Sequence, residues 1–429
     1  MKTIKLWLIA TTLPMLATAQ TARTEIEECP DLAAGKYFAY QAPEVRLTPA
    51  PRGYRPFYIS TFARHGSRYL TKEHKYTRPL SVLHAADEAG VLSDDGRRAM
   101  AVIESLAEMA EGRYGELTPK GAHQHEQLIE RMVETYPAVF TDGARIDARS
   151  TYKTRAFLSM AAACTQLKSM RPGITLTMDA SLHDAYYMKY KNQAYEDMHL
   201  ANADSAYRAA DSVYIHPARL MSRLFTDTAY IAANIDGVQM MQDLFELHGI
   251  SQSSYDAPGL GFLFEDEELY DLWQRNNFEW YYEKGPSPLS GGHMYYLERN
   301  LLSNFVTMAD EAIASGIHGA TLRYGHDTNL APLAALMGID SLQVRTRDWQ
   351  RIADTYRTYR IIPMCGNVQV IFYKRKNDSD IIVKVLLNER EASLPVASDI
   401  LPYYHWADVR RLWMQTAEAI SLPATDDGE

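Results

Sequence analysis

Residues 57–68 read Phe57-Tyr58-Ile59-Ser60-Thr61-Phe62-Ala63-Arg64-His65-Gly66-Ser67-Arg68. The first six are aromatic, β-branched or small and carry no charge, which is the composition of a buried strand. The strand runs straight into a histidine and a glycine flanked by arginines. A second stretch repeats the arrangement: Ala320-Thr321-Leu322-Arg323-Tyr324 reads as a strand and leads into Gly325-His326-Asp327-Thr328-Asn329. Where strands alternate with helices, ligands sit beyond the carboxyl ends of the strands. Both polar clusters stand at that place.

Outward from the first cluster, helical patterns cover residues 93–111, 119–136 and 153–168. Thr118 is placed to cap the second of these, with Pro119 at its first position. Ala144–Ala148 reads as a strand between them. Residues 20–56, rich in proline, read as an irregular lead-in. From 180 to 290 strand signals fade, and helix-like segments are separated by Pro217, Pro258 and Gly285-Pro286-Ser287-Pro288. A long helix is expected over 291–315. Val368–Tyr373 and Ile381–Leu387 read as closing strands, joined by a hairpin turn at Lys376–Asp380. The pattern predicts an α/β three-layer sandwich with a mainly parallel, Rossmann-like central sheet. It divides the chain into a catalytic domain, residues 20–179 and 290–429, and an inserted α-helical cap, residues 180–289.

The chain has 429 residues, 46% of them hydrophobic and 23% charged, an ordinary globular composition able to bury a large core. A formal charge of −10 argues against wholesale nucleic-acid binding and still allows a local basic pocket. Arginines outnumber lysines 30 to 14, a mild pointer to phosphate or carboxylate ligands. Lys2 and Lys5 precede an apolar run, Leu6–Leu16, and Ala17-Thr18-Ala19 fits a cleavage site before Gln20. The expectation is a cleavable leader over residues 1–19 and a periplasmic or secreted protein. The apolar run is too short to span a bilayer, and no later stretch reaches eighteen apolar residues, so no membrane insertion is expected. Of the cysteines Cys29, Cys164 and Cys365, at most one pair can form. Cys164 follows Ala161-Ala162-Ala163 and reads as a core residue.

At this chain's composition, Arg-His-Gly should occur by chance roughly 0.05 times, and a fourth-position Arg lowers that to about 0.003. Arg64 and Arg68 can cradle phosphoryl oxygens by charge-assisted hydrogen bonds. Their charge also disfavours imidazolium, which keeps His65 neutral and nucleophilic. The same residues also fit a surface turn with solvated arginines and Ser67 as a helix cap. In the second cluster His326 can donate to a phosphoryl oxygen and Asp327 can act as general acid. An Asp at the start of a helix can equally be its cap.

Together, in this order and separation, the clusters resemble the histidine acid phosphatase branch of the histidine phosphatase superfamily, which carries Arg-His-Gly-x-Arg-x-Pro near the start and His-Asp near the end. Arg64, His65, Gly66 and Arg68 match, while Leu70 replaces the usual Pro. Gly115-Glu116-Leu117-Thr118-Pro119-Lys120-Gly121 is similar to the family's Leu-Thr-x-x-Gly helix start. Arg149-Ser150-Thr151 with Arg155 and Ser159 resembles its Arg-Ser-Thr-x-x-x-Arg segment, without the usual intervening Asp residues. The resemblance implies a metal-independent phosphomonoesterase without cofactor. His65 would be the nucleophile, passing through a phosphohistidine, and Asp327 the proton donor. Arg64, Arg68, Arg155 and His326 would bind the phosphoryl group. His123-x-His125 is a weak metal lure, since i and i+2 on a helix face apart.

The family also suggests substrates. Lys72, His74 and Lys75 lie where phytases and multiple inositol polyphosphate phosphatases carry basic residues, and with Lys189 they could bind outer phosphates of an inositol polyphosphate. A solvated basic turn is the plainer reading. Multiple inositol polyphosphate phosphatases usually carry His-Ala-Glu where this chain has His326-Asp327-Thr328, so the donor resembles the phytase and acid phosphatase type. A sugar-phosphate phosphatase of the glucose-1-phosphate type, and a non-catalytic binder of phosphorylated ligands, are the alternatives.

Overall fold

The structure, a computed structural model, describes residues 21–423. The leader expected over residues 1–19 lies outside the described residues. The central sheet comprises β1 (Tyr54–Arg64), β2 (Arg145–Ser150), β3 (Thr175–Asp179), β4 (Gly319–Gly325), β5 (Asn367–Arg375), β6 (Ile381–Leu387), β7 (Arg390–Glu391) and β8 (Tyr404–His405). Its order is β3-β2-β4-β1-β5-β6-β7, with β8 also on β6. From β3 to β1 every pairing is parallel. From β1 through β5 and β6 to the short edge strands every pairing is antiparallel.

Alternation along the strands makes the three layers. On one face Phe62, Val368, Val370, Phe372, Val383 and Val385 pack with the helices Arg299–Ser315, Asp327–Leu336 and Trp406–Glu418. On the other, Ile59, Ala63, Ile146, Ala148, Ala320, Leu322 and Ile371 pack with the helices Pro119–Thr135 and Thr154–Met170. Both faces are buried, so the middle of β1, Phe57–Ala63, carries no charge, and the one charge inside β4, Arg323, is buried and donates to Asn304 and Ser60. Cys164 is buried in the second of these clusters, and all three cysteines are free thiols.

Residues 180–290 are helical, from Ala185–Met188 to Asp266–Lys284, and hold none of the described strands. A third apolar cluster joins the helices Ala218–Leu224, Gly237–Ser251 and Asp266–Lys284 to His74–Glu88 and Asp94–Ala110, and to residues 22–38. The lead-in is thus less irregular than its prolines imply. It holds a helix, Ala22–Glu28, capped by Thr21, and a 3-10 stretch, Pro30–Tyr37, that turns at Gly35 with φ of 55°. The expected long helix over 291–315 is two pieces, a 3-10 turn Met294–Glu298 and the helix Arg299–Ser315. Residues 71–75 lead directly into the helix His74–Glu88, so the expected basic turn is largely a helix start. No described helix is long and apolar enough to cross a membrane.

Candidate active site

Three parallel strands end together. The His65 N–H donates to the Gly325 carbonyl at 2.9 Å, Thr151 N–H to Tyr324 at 3.0 Å, and Arg64 N–H to Gly366 at 2.8 Å. The turn after β1 then presses on the start of the helix Pro119–Thr135. Thr118 caps that helix, accepting from Gly121 N–H at 3.2 Å, and its own N–H donates to the Ser67 carbonyl at 2.9 Å. A Cβ on Gly66 would stand 2.2 Å from the Gly121 oxygen, and one on Gly121 2.1 Å from the Ser67 oxygen. The two glycines therefore let backbone cross backbone. Leu70 N–H donates to the Tyr76 hydroxyl at 2.8 Å, a bond that Pro at this position could not make.

Six of the residues singled out by sequence come together here. Arg64 is fully buried: its Nη1 donates to the Lys36 and Ile362 carbonyls, and its Nη2 lies 2.7 Å from Asp327 Oδ2. His65 is 1% exposed, and its Nδ1 lies 2.9 Å from the Gly66 carbonyl. A carbonyl only accepts, so Nδ1 carries the proton and Nε2 keeps its lone pair. The His326 ring stands 5.6 Å from the His65 ring, with its Nε2 3.0 Å from the Thr151 hydroxyl and its Nδ1 3.4 Å from Arg155 Nη2. Arg64 Nε, Arg68 Nε and Arg155 Nε are buried without a hydrogen-bond partner among the described residues.

Burial removes the surface-turn reading, because Arg68 is 7% and Arg64 0% exposed. It also removes Ser67 as a cap, since its hydroxyl is buried and unpartnered among the described residues. Nor is Asp327 the cap of its helix. His326 holds that position, and Asp327 Oδ1 accepts only from the adjacent Thr328 N–H at 2.9 Å.

The charges explain the protonation states. Burial, then Arg64, Arg155 and Arg68, hold His65 well below the ordinary imidazole range. Burial and Arg155 bring His326 down to about 3, against the opposing pull of Asp327. Burial alone would raise Asp327, but Arg64, Arg68, Lys36 and His326 outweigh it and hold the carboxyl well below its usual range. Burial lowers Arg64 and Arg155 to about 10, so both stay charged at neutral pH. Three guanidiniums thus face one carboxylate, a balance that calls for an anion.

The outer residues fare differently. Lys72 and His74 are exposed, and neither makes a side-chain hydrogen bond or ion pair with the six among the described residues. Lys75 is committed to Glu246, which also accepts from the Tyr37 hydroxyl. Lys189 reaches the rim, donating to the Tyr152 hydroxyl at 2.7 Å and adding its charge at His326. Sequence reasoning missed Lys36. Burial opposes its charge, but Tyr37, Glu279, Glu246 and Asp327 overcome this and raise it. Its ammonium lies over the Tyr37 and Trp280 rings. The available signal was Gly35, the left-handed residue that turns Lys36 inward from a segment read as irregular. His123 bonds the Tyr255 hydroxyl while His125 is buried against Tyr324, so the pair does point apart.

The fold has known counterparts. Residues 59–388 match the model of the histidine phosphatase superfamily, branch 2. The chain belongs to that family and is a phosphomonoester hydrolase. It is 23% identical over 388 residues to multiple inositol polyphosphate phosphatase 1 of Gallus gallus, covering 84% of each chain. The multiple inositol polyphosphate phosphatase of Bifidobacterium longum, solved with inositol hexasulfate, superposes with a TM-score of 0.73 at 20% identity, over 92% of this chain and 99% of that one. The phytase from D. castellii gives 0.63 at 14% identity, over 90% of this chain and 85% of its own.

Proposed function

We propose that this protein is an exported phosphatase of inositol polyphosphates working through a phosphohistidine. The observation that carries the chemistry is the set of three arginines, each with a buried Nε–H unpartnered among the described residues, around a neutral His65 opposite Asp327. The His65 Nε2 lone pair attacks phosphorus, and the P–O ester bond breaks. The leaving oxygen takes its proton from Asp327. Water then attacks phosphorus as Asp327 accepts its proton, the P–N bond breaks, and His65 departs neutral with release of phosphate. Arg64, Arg68, Arg155 and His326 hold the phosphoryl oxygens throughout.

In the free site Asp327 is ionised, so the proton it donates comes with the substrate. A phosphate ester has its second pKa near 6 and carries one proton below that pH. The arginines favour the dianion, and the displaced proton passes to Asp327, whose ion pair with Arg64 the incoming charge weakens. Support for a polyphosphorylated ring comes from Lys36 and Lys189 at the edges of the cradle and from the activities that the relatives' names state. Export rests on the leader pattern of residues 1–19. The test is a phosphate-release panel over inositol hexakisphosphate, glucose 1-phosphate and p-nitrophenyl phosphate, with acid-quench trapping of 32P. Label on His65 and preference for the inositol ester are expected. Turnover without label on His65 would overturn the mechanism, and preference for glucose 1-phosphate would overturn the substrate.

A further inference from the structure

Behind the catalytic turn lies a carboxyl that the mechanism does not use. Glu298 ends the 3-10 turn Met294–Glu298 and is 4% exposed. Its Oε1 accepts from Asn329 Nδ2 at 3.0 Å, and Asn329 Oδ1 accepts from the His326 backbone N–H at 3.3 Å. Asn329 is 3% exposed. Its amide can satisfy the His326 N–H only with oxygen toward it, which leaves the NH2 group needing an acceptor. Glu298 is that acceptor. The chain Glu298–Asn329–His326 ends on the residue beside Asp327.

The second oxygen of Glu298 faces no donor. Oε2 is buried without a hydrogen-bond partner among the described residues. The charged groups of the surrounding elements are engaged elsewhere. Lys284 Nζ lies 3.4 Å from Glu196, Arg299 donates to the Ile420 carbonyl at 3.0 Å, and Asp327 is paired with Arg64. Glu279 is held by Arg275, and Glu283 accepts from Tyr207. The Tyr281 hydroxyl bonds to the Val344 and Thr346 carbonyls. A carboxylate here would leave one charged oxygen dry, whereas a neutral acid accepts from Asn329 through Oε1 and leaves only an uncharged hydroxyl unpaired, which costs less.

We infer that Glu298 is a positioning residue for the catalytic His326–Asp327 turn, acting as a neutral acid through Asn329. Loss of its proton makes it seek a donor and releases the turn. This rests on the phosphatase reading above. Burial, against the weaker pull of Asn329 and Lys284, raises Glu298 to about 8. Its proton is therefore present at acid pH and lost on the alkaline side.

The experiment compares wild type with E298Q and E298A. Saturating p-nitrophenyl phosphate is used from pH 5 to 9.5, because kcat at saturation reports groups in the complex rather than the free ester. Wild-type kcat should fall with a midpoint near 8. E298Q keeps an acceptor for Asn329 and cannot ionise, so its activity at pH 5 should lie close to wild type and the fall near 8 should vanish. E298A should lose roughly 10- to 100-fold in kcat on the acid side, with KM nearly unchanged, the scale expected for a misplaced reacting group, and the gap from wild type should close as wild type falls. If E298A fails to fold, the E298Q profile alone decides. A wild-type fall that persists in E298Q, or its absence in wild type, would overturn the inference. If wild type turns over no ester, the phosphatase reading has failed. The inference is then decided by calorimetric binding of inorganic phosphate, which should weaken above pH 8 in wild type and not in E298Q; identical pH dependence would overturn it.

Discussion

If Asp327 receives its proton from the substrate, the alkaline limb of kcat/KM belongs to the ester and not to the protein. Arg64 Nη2 lies 2.7 Å from Asp327 Oδ2. Arg68, Lys36 and His326 add to its effect, and together they hold the free carboxyl ionised. An unperturbed Asp, with a pKa of about 3.9, is already less than about one-tenth protonated at pH 5, and Asp327 is less protonated still. An enzyme needing its own proton, and indifferent to the charge of the ester, would therefore lose kcat/KM tenfold per pH unit throughout the acid range. A proton carried by the ester instead gives a plateau up to about pH 6, the second ionisation of a phosphate monoester, and a tenfold fall per unit above it. The perturbation is a series of esters whose second pKa values span one unit, assayed at low substrate concentration from pH 4 to 8. The limb should move by the same one unit. A limb at one fixed pH for every ester would show that a protein group supplies the proton and refute the reasoning.

Other consequences are open to simpler tests. His65→Ala should abolish turnover while phosphate binding, read by calorimetry, survives on the arginines; activity within tenfold of wild type would exclude the covalent route. Asp327→Asn should cost roughly 10²–10⁴-fold on alkyl phosphates and far less in the nitrophenolate burst from p-nitrophenyl phosphate, and equal losses on both would remove Asp327 as acid. Gly121→Ala should cost about 1–3 kcal/mol in denaturant unfolding and lower kcat, because the new Cβ would stand 2.1 Å from the Ser67 oxygen; a neutral variant would mean that the crossing yields easily. Lys36→Ala and Lys189→Ala should raise KM for inositol hexakisphosphate more than for p-nitrophenyl phosphate, and parallel changes would confine both lysines to the reacting phosphate.

The site was legible in the sequence where chemistry follows a strand. Phe57–Phe62 carries no charge and Ala320–Tyr324 only the buried Arg323, because both faces of β1 and β4 are covered, and the polar clusters after them lie at the strand ends. Arg155 came through family resemblance, since one arginine on a helix carries no local signature. Lys36 was hidden because its inward turn depends on Gly35, and because the Lys36 carbonyl meets Arg64, neighbours only after folding. Glu298 was hidden for a similar reason: its partner Asn329 lies 31 residues away across a packed interface. The strand β3 escaped notice because it is an exposed edge without an apolar face.

The two backbone carbonyls that accept from Arg64 Nη1 belong to Lys36 and Ile362, and Cys365 N–H closes on the His65 carbonyl at 3.0 Å. The pocket is thus stitched from segments more than 300 residues apart, with the helical insertion lying between them in the chain. A ribosome must release residue 366 before the first-made strand can receive its backbone partner at Gly366. Assembly waits on the most distant contacts, the slow kind in any chain. Until that stretch has been made the polypeptide is therefore catalytically silent, and hydrolysis switches on only once the two distant segments have met.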